Sequence, residues 1–186
     1  MAQKDEGDFE LVSEMLDLMS LHELDYSHTW RLLSSFPGTS DQGMLDRFLD
    51  LLLPLDKVAS PYSDNCRPEW TKWLERYESR LASEGSQLVQ GAETQERMNK
   101  VNPRFVLRQW VLEEVIEKTE QGDLKALDRV LDMCLHPFEP YGELTPSRDG
   151  LVSGEQSQPT DEERERTRLC GIGDVSMLGF QCSCSS

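Results

Sequence analysis

An apolar period of three to four residues runs from residue 9 to residue 137, restarting after each proline or glycine stop, and it constrains this chain more than any other feature. Phe9, Val12, Leu16 and Met19 form its first stripe, which Leu11, Met15 and Leu18 widen. Trp30, Leu33 and Phe36 continue it after a cap near Asp25 or Ser27, and Pro37-Gly38 stops it. Ser40 or Asp41 caps the next run, Leu45, Phe48, Leu49 and Leu52, which Pro54 ends. Residues 56–67 read as a loop. Pro68 then suits a first helical turn, with Trp70, Trp73, Leu74, Tyr77 and Leu81 on one face. Gly85 to Gly91 reads as a polar connector.

Asn102-Pro103 predicts the start of the most apolar helix. There Phe105, Val106, Leu107, Trp110, Val111, Leu112, Val115 and Ile116 cover more than one face, so its expected place is the centre of a bundle. Gly122 ends that helix, Asp123 caps the next, and Leu124, Leu127, Leu131 and Cys134, with Val130 beside them, form the expected inward stripe before Pro137. No segment alternates with the period of two that a strand requires. The expected fold is therefore an all-α bundle of about six helices over 1–138. Residues 139–181 read as a flexible, disordered polar tail with at most a solvated helical turn at 161–168, and 182–186 as a cysteine-bearing terminus.

Charge narrows the functions. The 186 residues carry 35 acidic and 19 basic side chains, a net charge of −16. Such a chain lacks the cationic surface on which nucleic-acid affinity rests, and an anionic membrane repels it. No run approaches the roughly 20 apolar residues of a membrane span. Met1 to Trp30 holds eight acidic residues and one basic, unlike a signal or transit peptide. Five irregularly spaced cysteines make no secreted disulfide framework, so a reducing compartment is expected.

Catalytic motifs are scarce. There is no Gly-Lys-Ser or Gly-Lys-Thr phosphate loop, and Gly171-Ile172-Gly173 meets Ser176 where a dinucleotide fingerprint needs glycine. His22-Glu23 meets Tyr26 where a zinc-protease helix needs its second histidine. Adjacent carboxylates such as Glu113-Glu114 point apart on a helix and read as a solvated face. The Trp70/Trp73 stripe reads as core more readily than as a docking face. Only the terminus stands out: Cys182 and Cys184, separated by one serine, are redox candidates through thiol–disulfide exchange, or an incidental thiol pair.

The run Met98-Asn-Lys-Val-Asn-Pro-Arg-Phe-Val-Leu-Arg-Gln-Trp110, with Ile116 and Gly122-Asp123 after it, resembles the C-terminal region of the selenoprotein O family. Asp25-Tyr-Ser-His-Thr-Trp-Arg-Leu-Leu33, Trp73-Leu74 to Arg80-Leu81, and the ending Cys184-Ser185-Ser186 extend the likeness. Gln109 and Phe138 depart from the family's usual Asn and Tyr, and 141–181 lacks its compact Pro-Pro-Trp pattern. The resemblance implies the helical end of a protein-kinase-like fold. It also implies an enzyme that transfers AMP from ATP, with Mg²⁺ or Mn²⁺, to Ser, Thr or Tyr hydroxyls of proteins. The family's glycine-rich loop, lysine, metal ligands and proton acceptor have no counterparts in 1–186. No catalytic, cofactor-binding or metal residue is therefore expected, and the chain alone is expected to be inactive without the kinase-like core as partner. Cys184 alone carries over, as a redox residue able to pair with a cysteine of that core. Residence would be mitochondrial for a eukaryotic member and cytoplasmic for a bacterial one. The alternative reading is a free-standing acidic helical interaction module.

Overall fold

The computed structural model describes residues 6–53, 63–84, 92–141 and 159–173. Among these there are eight helices and no strand, where the period predicts an all-α chain of about six helices: α1 (Glu6–Leu21), α2 (Tyr26–Leu33), α3 (Gln42–Leu52), α4 (Ser63–Glu84), α5 (Ala92–Asn99), α6 (Gln109–Glu120), α7 (Leu124–Leu135) and α8 (Asp161–Leu169). None is long and apolar enough to cross a membrane. Where the sequence reads one helical domain over 1–138, the described residues form two compact units that meet in sequence at Asn99 and Lys100.

The first unit holds α1 to α5. Of the caps the sequence offers, Asp25 or Ser27 and Ser40 or Asp41, the aspartates are the ones used: the His28 N–H donates to Asp25 at 2.7 Å and the Met44 N–H to Asp41 at 3.1 Å. Leu45, Phe48, Leu49 and Leu52 are buried in α3, and Trp70, Trp73 and Leu74 in α4. The Trp73 indole stacks on Tyr77 at 5.3 Å and donates to the Leu11 carbonyl at 2.9 Å, which fixes α1 against α4. Two expectations fail here. The inward face of α1 is Leu11, Met15 and Met19, while Phe9, Val12 and Leu16 face solvent. Both sets repeat at helical spacing, so period alone could not choose between them. Helix α4 also begins at Ser63, five residues before Pro68, and carries that proline inside it. So near the N-terminus the proline forfeits one backbone bond, and the core-forming stripe beyond it outweighs that loss.

The second unit pairs α6 with α7 and lays α8 across them. Gly122 (φ +92°) ends α6 in a Schellman turn, where the Asp123 N–H donates to the Lys118 carbonyl at 2.9 Å, and Asp123 then caps α7. Helix α6 starts at Gln109, not after Pro103. The Arg104 and Phe105 N–H groups both donate to the Pro137 carbonyl, at 2.8 and 3.0 Å, so that stretch is tied to the end of α7 instead of continuing a helix. Nor is α6 buried all round: Trp110, Val111 and Val115 face inward, while Leu112 and Ile116 are exposed.

The flexible tail expected over 139–181 is corrected at 159–173. Thr160 and Glu163 form a capping box that starts α8, and Leu169 and Cys170 are buried at its end. Its docking is mainly ionic. Arg168 bonds Glu114 at 2.5 Å, Lys118 bonds Glu165 at 3.2 Å, Arg129 bonds Glu162 at 2.8 Å and Arg166 bonds Asp132 at 2.6 Å. Arg168 and Lys118 hold the Glu165 carboxyl at about 2, far below its ordinary value of 4.5. A carboxyl so depressed contributes fully above pH 4.5 and loses that contribution as pH falls toward 2. Amide exchange across 161–169 is expected to accelerate over that window and, at neutral pH, with added salt. Unchanged exchange in both series would mean that the buried contacts at the end of the helix, and not its surface ion pairs, hold it.

Candidate functional site

Two surfaces stand apart from the cores. The first is a cleft of about 300 Å³ between α1 and α4, lined by Glu14, Asp17, Leu18 and Leu21 on one side and Glu69, Lys72, Trp73 and Arg76 on the other. Acids, bases and leucines line it together with Trp73, which is otherwise buried. Arg76 hydrogen-bonds Glu14 and thereby holds that carboxyl below its usual range, so it stays ionised and does not serve as a proton donor near neutrality. His22, buried at the end of α1, pairs its Nε2 with Glu69 at 3.0 Å. That places His22 in an inter-helix tie. Sequence reasoning did not assemble this cleft, because Glu14, Asp17, Lys72 and Arg76 read as ordinary solvated charges until α1 meets α4.

The second surface lies on the α6–α7 pair. Glu114 and Lys118 of α6, and Arg129 and Asp132 of α7, turn toward α8. Residues two positions away on a helix point roughly 160° around it, so Leu112, Ile116 and Leu127 look away from α8, and Leu131 lies in register with Leu127. The expected inward stripe of α7, Leu124, Leu127, Leu131 and Cys134, is thus its exposed one, and Ala126, Val130 and Met133 are the residues it buries. Trp70 and Trp73, by contrast, lie in the core of the first unit and present no docking face.

The redox candidates Cys182 and Cys184 lie outside the described residues. Cys170 is buried, Cys66 is half-buried and Cys134 is exposed on α7. Desolvation pushes the Cys66 and Cys134 thiols above their ordinary value, which lowers their thiolate fraction and their reactivity. Among the described residues no three His, Cys, Asp or Glu side chains are grouped to hold a metal ion.

Comparison with known proteins gives one consistent answer. The family described as SelO, protein adenylyltransferase SelO, matches residues 1–135. The protein nucleotidyltransferase YdiU of Myxococcus xanthus is 36 % identical over 147 residues, which cover 75 % of this chain and 27 % of that protein. The protein of the same name from Salmonella typhi is 34 % identical over 137 residues, or 73 % of this chain and 24 % of the relative. That from Shewanella oneidensis is 30 % identical over 139 residues, covering 74 % and 24 %. The chain therefore spans about a quarter of the length of these curated relatives. No solved structure matches it.

Proposed function

The chain belongs to the SelO protein adenylyltransferase family, and on that premise we propose that it is a helical, non-catalytic part of an enzyme that moves AMP from ATP to Ser, Thr or Tyr hydroxyls of proteins. The observation that carries the reading is the family match over residues 1–135, which takes in the first unit and the α6–α7 pair. The helices in that span use their polar side chains to tie one helix to another. Arg76–Glu14 and His22–Glu69 join α1 to α4, and the Trp73 indole is spent on the Leu11 carbonyl.

ATP with Mg²⁺ or Mn²⁺ is the cofactor the family implies. The cleft between α1 and α4 is a poor match for it. Its carboxylates Glu14 and Glu69 are already bonded to Arg76 and His22, and among the described residues no three His, Cys, Asp or Glu side chains are grouped to hold a metal ion. The residues present do not fit a metal–nucleotide site, and no chemical step is assigned to them. In the whole enzyme these helices would buttress a kinase-like core, the missing partner of this chain. Cys184, with Cys182 beside it, would be the redox residue brought near that core.

The test is direct. The chain, incubated with α-labelled ATP, Mg²⁺ or Mn²⁺ and a generic protein acceptor, is expected to leave the acceptor unlabelled. Label that enters the acceptor and resists denaturing gel electrophoresis would place an active site within these residues and overturn the assignment.

A further inference from the structure

We propose that the face of α6 and α7 turned away from α8 is a docking surface for a basic-flanked amphipathic helix of another polypeptide. Leu112 and Ile116 on α6, and Leu124, Leu127, Leu131 and Leu135 on α7, are each 42 to 68 % exposed and recur at helical spacing. Together they present on the order of 500 Å² of apolar surface, at the upper end of what a soluble monomer shows unless the patch is used. Every one of them is branched at Cβ or Cγ and held on a regular helix, so the surface is a pre-formed pair of ridges. From Leu124 to Leu135 the α7 stripe runs about 16 Å, the length of three helical turns. An occupant of matching length would carry apolar residues at i, i+3 or i+4, i+7 and i+11.

Charge selects among occupants. Glu117 and Glu120 of α6 and Asp128 of α7 are exposed beside the patch, against Lys125 as the cation nearby on α7. A second copy would set these acids against their own kind, which disfavours an isologous pair. Lysine or arginine beside an apolar stripe complements both the ridges and their rim. The proposal is independent of adenylyl transfer, because it concerns a surface and not an active site.

The probe is a synthetic 14-residue helical peptide with leucine at the spacing above and lysine elsewhere, and its twin with glutamate in place of lysine. Titrated against the intact chain, the lysine peptide is expected to bind at least tenfold more tightly than the glutamate twin. The double variant Leu127→Glu/Leu131→Glu removes exposed side chains only, so its helical circular dichroism should match the parent. It is also more acidic, so an unspecific charge attraction would grow while a true docking site would lose affinity at least tenfold. Equal or tighter binding of the lysine peptide by the double variant overturns the proposal. Failure of the parent chain to bind the lysine peptide does the same. Sedimentation showing a parent dimer that the double variant abolishes would assign the face to a second copy instead, and would also overturn it.

Discussion

Trp70→Ala is expected to remove most of the stability of the first unit. The indole is 1 % exposed and meets Trp73 edge-on at 5.7 Å, in a core that also holds Met15, Phe48 and Leu74. Deleting a buried aromatic side chain costs about 3–5 kcal/mol, because the lost transfer energy adds to the cavity that its neighbours fail to fill. Small domains hold only about 5–15 kcal/mol in all, so the urea midpoint should fall steeply and the melt should broaden. Phe9→Ala is the matching control. Phe9 is 82 % exposed on α1, and its loss should move the midpoint by less than about 0.5 kcal/mol. An equal loss at Phe9 and Trp70 would mean that α1 packs through its other face.

That contrast also marks what a sequence can and cannot say about this chain. Helix caps were legible because their chemistry is local: Asp25, Asp41 and Asp123 each accept a backbone N–H at the start of the helix that follows. Buried aromatics were legible in α4, where only one face is apolar. The phase of α1 and α7 was not. In each, two apolar stripes share the 3.6-residue period, and only tertiary packing chooses Leu11/Met15/Met19 over Phe9/Val12/Leu16, or Ala126/Val130/Met133 over Leu124/Leu127/Leu131. On α7, Val130 and Met133 pack with Phe105, Leu169 and Cys170, and the leucines are left outside. The stretch 103–108 was misread for a related reason. Its apolar content suits a helix, but its N–H groups find Pro137, more than thirty residues away. Helix α8 hid behind its composition, since docking by ion pairs leaves no apolar period to read.

The Trp70/Trp73 stripe, which the sequence reads as core more readily than as a docking face, is consumed by the core of the first unit. The face left over is aliphatic and sits on the helix pair whose sequence block, Met98 to Trp110 and Gly122-Asp123, carries the family resemblance.

The second unit should depend on one buried cation in the way the first depends on Trp70. Arg104 is 7 % exposed, and its guanidinium donates to the Tyr141 carbonyl at 3.1 Å and to the Cys170 carbonyl at 3.4 Å. It therefore joins the segment before α6, the residues after α7 and the end of α8. Hydrogen bonds to charged groups are worth about 1.5–3 kcal/mol each, and unpaired carbonyls left in the interior add to the loss. Arg104→Ala is expected to destabilise the second unit by about 3 kcal/mol and to speed amide exchange at 161–170 more than at α6. Arg104→Lys should recover only part, because an ammonium lacks the planar fork that spans two carbonyls. Arg164→Ala gives the comparison: that side chain is an exposed partner of Asp161 three residues away, and its removal should move stability by less than about 0.5 kcal/mol. Equal effects at Arg104 and Arg164 would show that α8 is held by surface charge alone. A larger loss at Arg104 would place the anchor in the buried fork, with the ion pairs of α8 steering it into register.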